Sequence, residues 1–185
     1  MQRQGGGGGG AAASSGGMPV DCPELKHWYA SCRAILDGSD TPCAALPQKS
    51  ANCRARATCW KALAAGVSGP LAVAQGLAVE CAAELPADTC EALTRAVGAQ
   101  SPASCPTTPG ISAWCRALST ADPAPCAGAK DCTQIAARLQ VLARGGLKLC
   151  REQCTGEDVI SAAAALHDPH ACDALKAAIA AHACD

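Results

Sequence analysis

Apolar residues recur along this chain at the three-to-four-residue spacing of α-helices, and no segment alternates strictly between apolar and polar positions as half-buried strands do. Segments rich in Gly, Pro, Asp and Ser divide the pattern into pieces of about 10 to 16 residues. These interruptions read LDGSDTP, ALPQ, GVSGP, ELPAD, GAQSPAS, PTTPG, STADPAP, ARGG, CTGED and HDPH. The pattern predicts an all-α protein of short helices joined as antiparallel hairpins.

An internal repeat indicates how the helices are organised. Three pairs of cysteines are related by a shift of 83 positions: Cys22 and Cys105, Cys32 and Cys115, and Cys43 and Cys126. The motif CEAL at Cys90 returns as CDAL at Cys172, 82 positions later. We therefore predict a flexible Gly/Ala/Ser-rich N-terminal segment, residues 1–20, followed by two helical-hairpin units, residues 21–100 and 101–185.

The composition supplies little material for an apolar core. Hydrophobic residues make up 49% of the 185 positions, but the chain has no Phe, one Tyr and three Trp. It also has 15 cysteines. A thin core and abundant cysteine together indicate that disulfides support the fold.

The charge pattern argues against nucleic acid as a partner, and the length of the apolar stretches argues against a membrane span. The formal net charge is −1, and no basic run or basic–aromatic patch is present, so nucleic acid is not expected as the main partner. No stretch reaches the roughly 18 uninterrupted apolar residues of a transmembrane helix. We expect no direct membrane span.

Cysteine positions suggest how two helices could be bridged. In an antiparallel hairpin, residues at equal distances from the turn face each other. Cys22 and Cys53 are centred on the LDGSDTP turn, and so are Cys32 and Cys43. The spacing predicts two disulfide rungs, Cys22–Cys53 and Cys32–Cys43, each stabilising the fold by about 2 to 4 kcal/mol.

The same test gives further candidate pairs around other turns. They are Cys59–Cys81, Cys154–Cys184, Cys90–Cys105 and Cys115–Cys126. Ala136 stands where Cys105 would find its hairpin partner, so Cys105 could pair with Cys90 or with Cys132. Cys132, Cys150 and Cys172 are left unassigned, and the odd total leaves at least one cysteine unpaired or bridged to another chain.

The spacing of the first four cysteines resembles a known family. Residues 22–53 resemble the twin C-x9-C signature of coiled-coil-helix-coiled-coil-helix (CHCH) proteins. Cys105 and Cys115, followed by Cys126, resemble a degenerate second copy. The tandem arrangement is similar to the double-CHCH accessory subunits of mitochondrial respiratory complex I.

This resemblance implies a location and a role. It implies the mitochondrial intermembrane space, peripheral to the inner membrane, and a non-catalytic accessory subunit that stabilises a respiratory complex, with complex I as the first candidate. The implied partners are other subunits of that large membrane-bound complex. Trp28 and Tyr29 precede Cys32 on an adjacent helical face and resemble the hydrophobic import signal of the family. No cofactor is implied.

Two alternatives stay open. The first is a cysteine-rich helical scaffold of the bacterial periplasm, or a secreted one. The second is a cysteine-based carrier of zinc or copper, because thiolate and imidazole groups bind both metals. Its candidate ligands are Cys150, Cys154, His167, His170 and Cys172. The absence of a C-x2-C knuckle favours structural disulfides over this metal site.

Catalytic motifs are missing from the sequence. It contains no G-x-S-x-G or H-E-x-x-H motif, and the glycine run Gly5–Gly10 lacks the Lys of a phosphate-binding loop. We interpret the acidic residues of the central region as solvated helix faces and caps: Glu80, Glu84, Asp88 and Glu91. The sequence predicts no enzymatic activity.

Overall fold

A computed structural model of the chain describes residues 21–46 and 49–184. The predicted flexible segment, residues 1–20, lies outside the described residues. Within the described ranges the chain forms α-helices, two short 3₁₀ helices and turns, and no strand. The prediction of an all-α protein with short helices is confirmed.

Nine α-helices follow one another in the part of the chain that the structure describes. They are α1 Cys22–Asp37, α2 Thr41–Ala44, α3 Ser50–Ala64, α4 Gly69–Glu84, α5 Ala87–Gly98, α6 Ile111–Thr120, α7 Lys130–Gln153, α8 Glu157–Ala165 and α9 Asp173–Ala181. The 3₁₀ helices are Pro102–Ser104 and Ala124–Cys126. No helix among the described residues is both long enough and apolar enough to cross a membrane.

The Gly- and Pro-rich segments set most helix boundaries. Pro23 lies in the first turn of α1, where its missing N–H costs nothing. Gly38 ends the helix in the left-handed conformation at φ 68°, and its N–H donates to the Ile35 carbonyl. The ARGG segment also interrupts a helix, as predicted. Gly146 has non-helical backbone angles (φ 63°, ψ −152°), so α7 consists of two helical pieces that meet at a kink.

One buried cluster extends through most of the fold. Its largest fully buried side chains are Trp60, Leu25, Leu93, Leu118, Leu139 and Leu175. These residues come from both segments of the internal repeat, so a single core crosses the boundary near residue 100. Alanine and cysteine fill much of the remaining core, as the composition suggests.

Helices α3 and α4 approach each other closely at Gly76. A Cβ atom at this position would lie 2.8 Å from the Ala55 carbonyl oxygen and 3.0 Å from the Cys59 Cβ. The Ala55 carbonyl belongs to the backbone of α3 and cannot rotate away. Only glycine therefore allows this helix contact, which forms one wall of the cavity described below.

We expect Gly76→Ala to lower the free energy of unfolding by about 1 to 3 kcal/mol, because overpacking outweighs the better helix propensity of Ala. Chemical denaturation measures this change. Gly69→Ala is the matched control, since its Cβ would meet Leu142 at an ordinary 3.5 Å. Equal stability of the two variants would contradict a close helix contact at Gly76.

Seven disulfides are present, and they join fourteen of the 15 cysteines. Five bridge neighbouring segments: Cys43–Cys53, Cys81–Cys90, Cys105–Cys115, Cys126–Cys132 and Cys150–Cys154. None of these five spans more than 10 residues. They fasten turns and helix ends locally.

The other two disulfides join the first helix to the last one. Cys22 pairs with Cys184, and Cys32 pairs with Cys172, with Cα–Cα distances of 5.3 and 5.9 Å. The start of α1 thus lies at the end of α9, and the two helices run antiparallel. We refer to the disulfides Cys22–Cys184 and Cys32–Cys172 as the α1–α9 clasp.

The predicted rungs Cys22–Cys53 and Cys32–Cys43 are wrong. The prediction assumed a single turn between two long helices, but the short helix α2 intervenes and α3 begins only at Ser50. This geometry places Cys43 of α2 beside Cys53 in the first turn of α3. Helix α1 still contacts α3, but its cysteines bond to the C-terminal segment instead.

The other four predicted pairs are also wrong, because in each case at least one of the two cysteines is bonded to a partner no more than 10 residues away. The pairs concerned are Cys59–Cys81, Cys90–Cys105, Cys115–Cys126 and Cys154–Cys184. The break at Leu85 and Pro86, for example, brings the last turn of α4 against the first turn of α5 and closes Cys81–Cys90. Cys59, predicted to be bonded, is a buried free thiol.

Candidate functional site

A cavity of about 750 Å³ lies among helices α1, α3, α4 and α7 and the beginning of α8. Cavities of roughly 300 to 1,000 Å³ are typical of small-molecule sites. Trp114 of α6 also contributes to its wall. Elements from both segments of the repeat therefore build this cavity.

Two ion pairs form its charged floor. Arg56 of α3 pairs with Glu157, and Arg138 Nη1 of α7 donates to Asp158 Oδ1 at 3.0 Å. All four side chains are at least about four-fifths buried. Both carboxylates lie in the first turn of α8, where the helix dipole favours negative charge. The two pairs connect α8 to α3 and α7.

The surroundings of the two arginines shift their pKa values in opposite directions. Burial lowers the pKa of Arg56 to about 10, in spite of the nearby Asp158 carboxylate. Burial alone would also lower the pKa of Arg138, but the charge and hydrogen bond of Asp158 raise it above its ordinary value. The Arg138 guanidinium lies 5.6 Å from the ring centroid of the fully buried Trp60, a cation–π distance. Arg138 is therefore a permanent buried charge.

Three further carboxylates line the cavity without an ion-pair partner among the described residues: Glu24, Glu80 and Asp131. Of the lining residues that the structure describes, Lys49 is the one cation outside the two ion pairs. Burial and, to a smaller extent, the neighbouring Glu84 carboxylate raise the pKa of Glu80. Our interpretation of Glu80 as a solvated helix residue is thus wrong, since α4 turns this side chain toward the cavity.

Several buried polar atoms around the cavity have no hydrogen-bond partner among the described residues. They are His27 Nε2, Trp60 Nε1, Arg138 Nε and Glu157 Oε2. Native proteins leave few such atoms without a partner, because each one costs about 1 to 3 kcal/mol. Of these residues, His27, Arg138 and Glu157 line the cavity.

His27 is held in its neutral form. Its side chain is buried against α3, and burial, together with the positive charges of Arg56 and Lys49, lowers its pKa from 6.5 to about 4. The unfolded chain therefore takes up a proton near pH 6.5, whereas the folded chain does so only near pH 4. Stability is lost as the pH falls through this window.

We expect the contribution of His27 to lower the free energy of unfolding by about 3 kcal/mol between pH 6.5 and pH 4. Glu80 acts in the opposite direction, because its raised pKa favours the folded state at acidic pH. The measurement is therefore a comparison of urea denaturation curves across this range for the wild type and His27→Gln.

The control for this experiment is His182→Gln, which removes an exposed imidazole at the end of α9. His27→Gln should flatten the acid side of the stability profile, and His182→Gln should leave that profile unchanged. Parallel profiles for the wild type and His27→Gln would contradict a buried neutral imidazole.

The residues predicted as an import face lie beside this cavity. Trp28 and Tyr29 are half-buried in α1 and pack against the core, and Trp28 also lines the cavity. Cys32, the cysteine that these two residues precede, is buried in its disulfide with Cys172. Their predicted role in import stays a prediction.

The metal-binding candidates do not form a site in the structure. Cys150 and Cys154 are bonded to each other, and Cys172 belongs to the α1–α9 clasp, so none of the three offers a thiolate. His170 pairs with Asp173 at 2.8 Å, and His167 is exposed. Among the described residues, no group of three or more Cys, His, Asp and Glu side chains is arranged to hold a metal ion.

One feature of the sequence points to the charged floor, although the cysteine and turn patterns do not. Arg56 and Arg138 are separated by 82 positions, the shift that also relates Cys90 to Cys172. Helices α3 and α7 therefore carry equivalent arginines that converge on α8. No such repeat in the sequence indicates that Glu157 and Asp158 form ion pairs with these arginines.

No protein-family model matches the chain, and no curated protein or solved structure matches it significantly.

Proposed function

We propose that the protein is a non-catalytic structural subunit of a larger assembly in an oxidising compartment. The observation that carries this proposal is the α1–α9 clasp, which ties the two ends of the described chain together through disulfides. Disulfides of this kind persist in secreted proteins, the periplasm and similar oxidising environments. A small alanine-rich core that relies on seven disulfides suits a rigid scaffold.

The more specific form of the proposal is an accessory subunit on the intermembrane-space side of a mitochondrial respiratory complex, with complex I as the first candidate. The twin C-x9-C spacing of residues 22–53 supports it, as do Trp28 and Tyr29 beside Cys32. In the structure two disulfide rungs do join an antiparallel helix pair, but the pair is α1 with α9. This departure keeps the periplasmic or secreted scaffold as the second candidate.

Because nearly all cysteines are oxidised to disulfides, a structural role fits this protein better than a role as a metal carrier. Cys59 is the one cysteine without a disulfide, and it is buried. Burial raises the pKa of the Cys59 thiol, so the metal-binding thiolate is disfavoured. A carrier of zinc or copper through several thiolates would need the disulfides to be reduced.

Native, non-reducing fractionation of source membranes tests the proposal, with this chain followed by mass spectrometry across the size profile. We expect co-migration with a large assembly, whose other subunits name the complex. Migration as a small free protein would contradict the structural-subunit proposal.

Import variants distinguish the two locations. In mitochondria, Trp28→Ala with Tyr29→Ala should prevent accumulation in the intermembrane space, whereas Trp114→Ala, which changes a half-buried Trp outside the twin C-x9-C segment 22–53, should not. Circular dichroism of each purified variant checks that the fold is intact. Normal accumulation of the double variant would argue for the periplasmic or secreted alternative.

A further inference from the structure

The charges that line the cavity do not balance. Among the described residues that line it, the carboxylates are Glu24, Glu80, Asp131, Glu157 and Asp158, and the cations are Lys49, Arg56 and Arg138. Each arginine already faces a carboxylate of α8. The neutral His27 adds no charge at pH 7. The remaining groups give the cavity an excess of negative charge, which favours a cationic occupant.

The hydrogen-bonding groups point to the same chemistry. Neutral His27 is nine-tenths buried and lines the cavity, and its Nε2 atom has no partner among the described residues. Glu157 Oε2 is a buried acceptor that likewise lacks a donor. Glu157 Oε2 and the three unpaired carboxylates accept hydrogen bonds, and neutral His27 accepts one at Nε2 when its proton is on Nδ1. These groups match an occupant that brings several N–H groups.

Aromatic side chains complete the lining. Two of the three tryptophans of the chain, Trp28 and Trp114, line the cavity, and both are half-buried. Ammonium and guanidinium groups bind favourably to indole faces, and carboxylates nearby add to the attraction. The third, Trp60, already holds the Arg138 guanidinium in the same way.

We propose that the cavity binds a small organic cation, a primary ammonium or guanidinium compound, with Glu80 as its principal counter-ion and with Trp28 and Trp114 as its aromatic contacts. An anion on the two arginines fits less well, because it would lie beside the carboxylates of Asp158 and Glu157 that already pair with Arg138 and Arg56. The site adds a ligand-binding activity to the structural role proposed above and does not depend on that role.

Titration of the intact oxidised protein with agmatine and with spermidine, at pH 7 and constant ionic strength, tests the proposal. Intrinsic Trp fluorescence is the readout, because Trp28 and Trp114 line the cavity and would sense the ligand. Isothermal titration calorimetry provides a second, independent readout. Citrate and inorganic phosphate serve as anionic probes, and sodium chloride serves as the ionic-strength control.

We expect saturable binding of at least one of the two cations and about a tenfold or greater loss of affinity in Glu80→Gln. Burial raises the pKa of Glu80, so a neutral glutamine should leave the fold intact. Glu152→Gln, which neutralises an exposed carboxylate on α7, is the matched control and should bind like the wild type. Trp114→Leu is a second site variant and should also weaken binding.

Three results would overturn the proposal. The first is a response to the cations that does not saturate and that sodium chloride reproduces. The second is saturable binding of citrate or phosphate with none of either cation. The third is cation binding of unchanged affinity in both Glu80→Gln and Trp114→Leu.

Discussion

Removing both disulfides of the α1–α9 clasp should lower the free energy of unfolding by about 8 kcal/mol, whereas removing either one alone should lower it by about 3 kcal/mol. The two disulfides close loops of 162 and 140 residues that almost coincide. When one disulfide is removed, the remaining one still closes the long loop. The removed disulfide had closed only a short additional ring, so its loss costs less. Loss of both releases the chain ends completely.

Alanine is the appropriate replacement in these variants. Cys32 and Cys172 are 1% and 3% exposed, and a serine at either position would bury a hydroxyl group without a partner. The single variants are Cys22→Ala with Cys184→Ala, and Cys32→Ala with Cys172→Ala. The double variant combines all four substitutions.

Chemical denaturation without reductant measures the three variants. A loss of about 8 kcal/mol falls within the total stability of most domains, about 5 to 15 kcal/mol, so the double variant should be barely folded or unfolded. Cys150→Ala with Cys154→Ala is the control, because that disulfide spans 4 residues and should contribute only about 2 kcal/mol. A double variant that loses no more stability than one single variant would contradict the clasp.

Asp158→Asn should lower the free energy of unfolding by about 3 kcal/mol, because it leaves the Arg138 guanidinium buried without a counter-charge. The Arg138 and Asp158 side chains are 11% and 16% exposed, so water can replace little of the lost interaction. The raised pKa of Arg138 keeps it charged throughout the ordinary pH range. Arg138→Met in the Asp158→Asn background should recover at least about 1 kcal/mol, because it removes the uncompensated charge.

The matched control removes a surface carboxylate of the same type. Asp37 pairs with Arg33 at 2.8 Å on α1, but both side chains are more than a third exposed. Asp37→Asn should therefore cost less than about 1 kcal/mol. Urea denaturation of the two variants and the control measures the difference. Asp158→Asn and Asp37→Asn of equal stability would contradict a buried ion pair at α8.

The helical architecture could be predicted from the sequence because its signals are local. Pro23 and Gly38 set the ends of α1 through their own backbone preferences, whatever lies nearby. The ARGG segment acts in the same local way, because Gly146 adopts backbone angles (φ 63°, ψ −152°) that interrupt the helix within α7.

The disulfide pairing could not be predicted, because it depends on the arrangement of the whole chain. Symmetry about a turn treats each hairpin in isolation, and it missed that α2 delivers Cys43 to Cys53. It also could not bring Cys32 to Cys172, 140 residues away. The charged floor of the cavity depends on the same long-range arrangement, since Arg56 and Arg138 meet their carboxylates only when α3, α7 and α8 converge.

Non-reducing tryptic peptide mapping of the native protein tests the clasp most directly. Trypsin cleaves after Lys26, Arg33, Lys49 and Lys176, which separates the relevant cysteines onto different peptides. The α1–α9 clasp predicts that peptide 4–26 is joined to 177–185 and that peptide 27–33 is joined to 152–176. If peptide 4–26 is instead joined to 50–54, and 27–33 to 34–49, the twin C-x9-C hairpin is correct and the clasp is wrong.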